Sequence, residues 1–242
     1  MHKQKVVLLL CALLTVSYHL IAQRNIIDVP TSEIVEKNHL YFQEQITFAQ
    51  AHVITSTVFT RGFGHGFEAG LTLNQLTFRN ERHRHIITVD PQIPEENPDL
   101  MINAQKGFEW QDWFTLAVGT HTGIITARHW ADEKVVTFDY INTRFSLPDS
   151  DNKLILGTYG GNRAYMGEEG HQFGWMAGTE IEIIPEKLNF MGEYISGKNT
   201  LSNFNFAIQI ALPKDWQLAI ALQLPSPGSS NSSAAVFQIA RK

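Results

Sequence analysis

The sequence predicts an all-β fold: an antiparallel up-and-down transmembrane β-barrel of about 12 strands. Three observations predict it. Two-residue alternation recurs along the chain while helical periodicity is nearly absent. The clearest hairpin, SNFNFAIQIALPKDWQLAIALQLP (202–225), has one wholly apolar face and one polar but uncharged face. The linkers alternate between short turn-forming stretches and longer loops, as in barrels with short turns on one rim and long loops on the other.

The first 22 residues read as an export signal. MHKQK is a basic start, VVLLLCALLTVSYHLIA is apolar, and Ala22 supplies the small residue of a cleavage point. The apolar run is short for a membrane anchor and no stop-transfer flank follows. The expected division is a signal peptide over 1–22 and a barrel domain over 23–242. Cleavage would remove Lys3 and Lys5 and take the formal charge from −5 to −7. Cys11, the only cysteine, would leave with the signal, so the mature chain has no disulfide or thiol chemistry. The acidic balance speaks against a nucleic-acid partner.

After the cleavage point, TSEIVEKN (31–38) reads as one helical turn or as the polar lead-in to the first strand. Strands are expected near 39–49, 52–60, 65–78, 111–119, 122–130, 134–146, 153–160, 173–184, 187–197, 202–212, 215–224 and 234–240. Turn formers separate several of them: LPDSDNK (147–153), PEK (185–187) and PKD (213–215). Longer loops fall at 79–110, 161–172 and 225–233. No break in composition divides the chain, so it reads as one domain with both ends on the periplasmic side.

Alternation alone does not separate lipid from a soluble core, because a half-buried soluble sheet also has a period of two. The second face separates them. In several strands it carries Asn, Gln, Ala and Gly, which suit a confined lumen better than open water. Strands of 9–11 residues match a tilted bilayer crossing, and Trp216, Tyr194 and Phe204 fall near strand ends, where aromatic girdles sit. A soluble sandwich or lipocalin-like barrel is the alternative.

Residues 178–225 resemble the outer-membrane barrel family labelled the MetA-pathway of phenol degradation family. The matching features are Pro185-x-Lys187-Leu188, the run from Glu193-Tyr194 through Gly197 to Asn199, and the Trp216 strand ending Leu224-Pro225. The resemblance implies a channel- or transporter-like barrel of a Gram-negative outer membrane. The chain departs from a common barrel pattern in ending VFQIARK, without a terminal aromatic residue.

Other motifs have plainer readings. RGFGHGFEAG (61–70) lacks the Gly-Lys-Ser/Thr of a phosphate loop and reads as a turn with its strands. His83 and His85, with Glu95, Glu96 and Asp99, are the one metal-like cluster, but a site needs three or four fixed ligands; a solvated loop is the simpler reading. His121 and His129 flank a strand with Arg128, yet no Gly-x-Ser-x-Gly accompanies them. No catalytic residue, metal or cofactor is assigned.

Charges within strands should point inward, since the lipid face penalises them. The expected lumen lining is therefore Glu68, Asp139, Arg144, Glu180, Glu182 and Glu193, with Asn205, Gln209, Gln217 and Gln223. Asp139 and Arg144 have opposite parity, so a bulge near Tyr140–Ile141 is expected. Three inward carboxylates in one sector, at 180, 182 and 193, would favour cations. The implied role is a narrow outer-membrane channel for small polar or amphipathic solutes, with outer-membrane lipid and a small solute as partners. The alternatives are a non-transporting structural or adhesive barrel, a membrane-embedded lipid hydrolase, and a soluble periplasmic barrel.

Overall fold

The computed structural model describes residues 25–50, 52–81, 84–87, 98–126, 135–148, 150–167 and 170–241. The signal segment, Cys11, His83, Glu95, Glu96, Arg128 and His129 lie outside these residues, as does the side chain of His85.

The strands are β1 (Leu40–Phe48), β2 (His52–Gly64), β3 (Phe67–Glu81), β4 (Arg84–Ile87), β5 (Asp99–Gln111), β6 (Phe114–Ile125), β7 (Val135–Ser146) and β8 (Lys153–Gly161). A single helical turn, α1 (Arg163–Met166), precedes β9 (Phe173–Ile184), β10 (Leu188–Ile195), β11 (Asn203–Leu212), β12 (Trp216–Pro225) and β13 (Ala234–Arg241). All except β4 form a closed twelve-stranded antiparallel ring, sealed where β1 pairs with β13. β4 extends the far end of β3.

One rim carries tight turns. At 213–215, Lys214 and Asp215 both take positive φ (62°), as close hairpin connections require. The β2–β3 turn runs through Gly64, His65 and Gly66, all at positive φ. β1 starts and β13 ends at this same rim, which the usual asymmetry of such barrels makes periplasmic. The ladder is sheared. Leu40, at the turn rim, lies level with Arg61, Ala69, Ala104, Thr120, Asp139, Gly160 and finally Phe173, at the loop rim. One circuit returns to β1 about 14 residues along, which tilts twelve strands by about 40°.

Three expectations are corrected. The loop expected over 79–110 contains β5, which crosses the whole wall. Its alternation is masked because Lys106 sits in the outward series, its Nζ donating to the His65 carbonyl and lying 5.3 Å from the Phe108 ring centroid. A lysine can face lipid this way when its head reaches the rim. The strands expected at 111–119 and 122–130 are one strand, β6. Gly119-Thr120-His121-Thr122-Gly123 lacks large apolar side chains and resembles a turn, but its pairing with β5 and β7 is unbroken there. The segment 31–38 is not helical.

The opening hairpin faces as its pattern requires. Phe206, Ile208, Ile210, Ile220 and Leu222 are exposed on the outer wall, while Ala207, Gln209, Ala219 and Ala221 are buried inside. Aromatic belts flank the apolar band. Phe42 packs on Phe59 and Trp216 at the turn rim, with Phe114 and Phe145 at the same level further round. Trp175, Tyr194 and Phe204 stack at the loop rim, with centroids 4.7 and 4.4 Å apart. An apolar outer wall this extensive is stable only in lipid. The barrel is an outer-membrane protein.

A plugged lumen as the candidate functional site

The lumen is occupied by the chain's own residues 25–38. From the middle of the barrel this segment descends to the turn rim and there turns into β1. Its polar character explains why it needs partners, since each buried N–H and C=O must be paired. Inward side chains of the wall supply them.

At the top, the Glu193 carboxylate accepts from the backbone N–H of Ile27 (3.0 Å), Asp28 (2.9 Å) and Val29 (2.9 Å). Asn205 Nδ2 donates to both Glu193 Oε1 (2.6 Å) and Asp28 Oδ2 (3.0 Å), and Gln45 donates to the other Asp28 oxygen. Burial pushes the Asp28 carboxyl above its ordinary range, against the pull of the Gln45 and Asn205 hydrogen bonds. Lower down, Asn142 donates to the Pro30 carbonyl and accepts from Ser32 Oγ. Gln105 donates to the carbonyls of Thr31 and Glu33 while accepting from Tyr140. At the base, Glu68 accepts from the Val35 N–H at 2.6 Å.

Apolar contacts and close approach complete the fit. Ile26, Ile27 and Val29 join a buried cluster with Met101, Phe138, Tyr159, Met166, Met176 and Met191. Wall glycines leave room for the segment: a Cβ on Gly62 would lie 2.1 Å from the carbonyl oxygens of Val35 and Glu36, one on Gly107 would meet Ile34, and one on Gly178 would meet Ile26.

Near the turn rim lies a cluster of opposite charges. Glu33 Oε1 is 3.0 Å from Arg144 Nη1 and 2.9 Å from Lys153 Nζ, and Lys153 also reaches Glu180 Oε2 at 3.3 Å. Thr115 Oγ1 accepts from the other arm of Arg144, and Asn189 donates to Glu180.

The expected lining residues therefore fall into distinct places. Glu68, Glu193 and Asn205 hold the segment directly, and Arg144 pairs with its Glu33. Glu180 pairs with Lys153. Glu182 sits at the turn rim, accepting from the Glu186 N–H. Gln209 is fully buried between Asn189 and Gln217. Gln223 borders a remaining cavity of about 230 Å³ in the loop-rim half, beside Asn25, Asp28, His121 and Tyr165. His121 itself lies edge-on to Phe138 and Tyr140. Of the acids at 180, 182 and 193, Glu180 thus has a cationic partner, Lys153, while Glu182 and Glu193 accept hydrogen bonds from neutral donors.

Asp139 is a correction. β7 pairs without a register shift on both sides, so the expected bulge does not form and Asp139 projects outward. Together with Thr120, Thr158, Phe67, Ile141, Phe173 and Trp175 it borders a groove of about 1240 Å³.

Asp28, Glu33, Gln105, Asn142 and Lys153 were not singled out from the sequence. The only signal was position: Asp28 and Glu33 lie between the expected cleavage point and the first strand, where a short polar leader gives no periodicity to read.

A sealed wall, paired aromatic belts and a polar interior define a twelve-stranded outer-membrane barrel with the fold of the channel porins. No protein-family model and no curated protein matches the chain. Among solved structures it is similar to the KdgM porin in complex with disordered oligogalacturonate, with a TM-score of 0.58, 9% identity, and coverage of 84% of this chain and 98% of that one. The NanC porin gives 0.56, 11%, 84% and 98%. The COG4313 outer membrane channel from Pseudomonas putida F1 gives 0.53, 7%, 89% and 99%. At these identities the likeness is one of fold.

Proposed function

We propose that this chain is a gated outer-membrane channel for small polar or amphipathic solutes, closed in the present conformation by residues 25–38. One observation carries the reading. The occupying segment is no part of the sheet: apart from a single backbone bridge between Lys37 and Gly62 near the rim, wall side chains hold it. It can therefore leave without breaking the β ladder, and the inner face it uncovers bears Gln105, Asn142, Glu193 and Asn205. The channel-porin fold supports the same reading.

A second reading, a structural barrel with no transport, is favoured by the dense packing of Ile26, Met166, Met176 and Met191 across the lumen. A cysteine pair separates the two. Ser32 Oγ and Asn142 Oδ1 are 2.9 Å apart, and the mature chain has no native cysteine. With Ser32→Cys and Asn142→Cys oxidised, planar bilayers should show almost no conductance, and reduction should restore openings. Silence in both states would favour the structural barrel. Equal conductance in both states would mean that the segment does not gate.

A further inference from the structure

We propose that Arg144 and Lys153 form a carboxylate-binding site in the lumen, filled in this conformation by the chain's own Glu33 and taken by a small acidic solute when the segment withdraws. This rests on the channel reading above. Both cations converge on one oxygen, Glu33 Oε1, at 3.0 and 2.9 Å. Both are held by the wall independently of the segment: Arg144 by Thr115 Oγ1 at 3.1 Å, Lys153 by Glu180 at 3.3 Å. With Glu33 in place, the two cations face two carboxylates. With Glu33 gone, Glu180 alone remains against them and the cluster holds one uncompensated positive charge. With the segment in place the side chains of Arg144 and Lys153 are only 17% and 12% exposed. Its withdrawal opens them to the lumen, where the excess positive charge between low-dielectric walls attracts an anion of matching shape.

The class of ligand follows from what Glu33 presents. Arg144 favours a planar carboxylate. Gln105 Nε2, which donates 3.2 Å to the Glu33 main-chain carbonyl, offers a neutral donor nearby. The site therefore fits a small carboxylic acid that also carries a neutral oxygen acceptor. It lies at the turn-rim end of the lumen, since Arg144 is near the end of β7 and Lys153 begins β8, so a solute entering from the loop rim meets it last.

Chemical rescue tests the site in the full chain. Glu33→Ala deletes the internal carboxylate and should lower the temperature at which the folded band is lost on SDS gels by several degrees. Acetate or propionate should restore most of that shift. Acetamide, the neutral isostere, and chloride at equal ionic strength should not. Wild type should not respond, because its own carboxylate fills the site, and Glu33→Ala with Arg144→Gln should lose the rescue. Equal effects of acetate, acetamide and chloride, or rescue that survives loss of Arg144, would overturn the proposal. If Glu33→Ala does not assemble, Glu33→Gln keeps the side-chain volume. Propionate should then speed maleimide labelling of a Ser32→Cys reporter several-fold by displacing the segment, and an unchanged labelling rate would overturn the proposal. Conductance of the reduced cysteine pair decides the channel separately. Openings without rescue remove the carboxylate site and leave the channel; rescue without openings supports the site and removes the channel.

Discussion

Glu193 and Asp28 are buried carboxylates that share one amide donor, yet their substitutions should have opposite effects. Glu193 accepts from three backbone N–H groups and Asn205, donors that converge on it from the segment and the wall. Glu193→Gln puts an NH₂ among those donors and leaves N–H groups unpaired, at about 1–3 kcal/mol for each buried group. Asp28 has only the side-chain donors Gln45 and Asn205, and burial disfavours its charged form. Asp28→Asn removes that cost: its Oδ1 can keep accepting from Asn205, and Gln45 can turn its amide to accept from the new NH₂. The measurement is labelling of an Ile27→Cys reporter by a membrane-impermeant maleimide. Glu193→Gln should quicken it well beyond the parent reporter, while Asp28→Asn should leave it unchanged or slower. Faster labelling in both would mean that both charges anchor the segment.

The β11–β12 hairpin shows at the scale of an element which medium each face meets. Ile208 and Ile220 are cross-strand partners on the lipid side, whereas Ala207, Ala219 and Ala221 press on the interior. Lipid accommodates larger apolar side chains, but a packed core does not. Ile208→Phe and Ile220→Phe should leave the gel-shift temperature of the folded band unchanged. Ala207→Phe and Ala219→Phe should lower it, overpacking costing about 1–3 kcal/mol. Ile208→Arg should impair assembly by about 2–4 kcal/mol if it lies at mid-bilayer. Gln209→Arg belongs with the damaging changes too, since Gln209 is fully buried against Asn189 and Gln217 rather than facing open water. Equal tolerance of Phe on both faces would contradict the assigned register. This hairpin was legible in the sequence because its charges are confined to the turn and its parity is clean. β5 was not, because Lys106 reaches the rim from an outward position. The expected count of twelve agrees with the ring because the missed β5 offsets the splitting of β6, whereas the inward side of Glu68, Glu180 and Glu193 could be read from the cost of a charge on the lipid face. What those acids touch could not: Glu68 and Glu193 accept from backbone groups of an aperiodic leader 33 to 166 residues away in sequence, and Glu180 accepts from Lys153 and Asn189.

The whole molecule is two structures of unequal cohesion. The wall is a continuous ladder in which every strand of the ring has two neighbours, and lipid keeps water from competing for its backbone groups. The plug has no ladder. Side-chain hydrogen bonds to residues such as Glu68, Gln105, Asn142 and Glu193 hold it, with a small apolar contact through Ile26, Ile27 and Val29. A typical hydrogen bond contributes about 0.5–1.5 kcal/mol net, and ordering each residue of the segment costs about 1–2 kcal/mol of backbone entropy. The hydrogen bonds thus offset only part of the ordering cost, so the plug should be the least stable part of the fold and should open locally before the barrel does. Urea titration of the detergent-solubilised protein with a Ser32→Cys reporter makes this testable. Labelling should reach its midpoint at a urea concentration well below that at which the SDS-resistant folded band disappears. Gly62→Ala, whose Cβ would press on the Val35 and Glu36 carbonyls, should move the labelling midpoint lower still with little effect on the band. If labelling and loss of the band coincide, and Gly62→Ala moves both together, the segment is part of the barrel's cooperative core and cannot open the lumen by withdrawing alone.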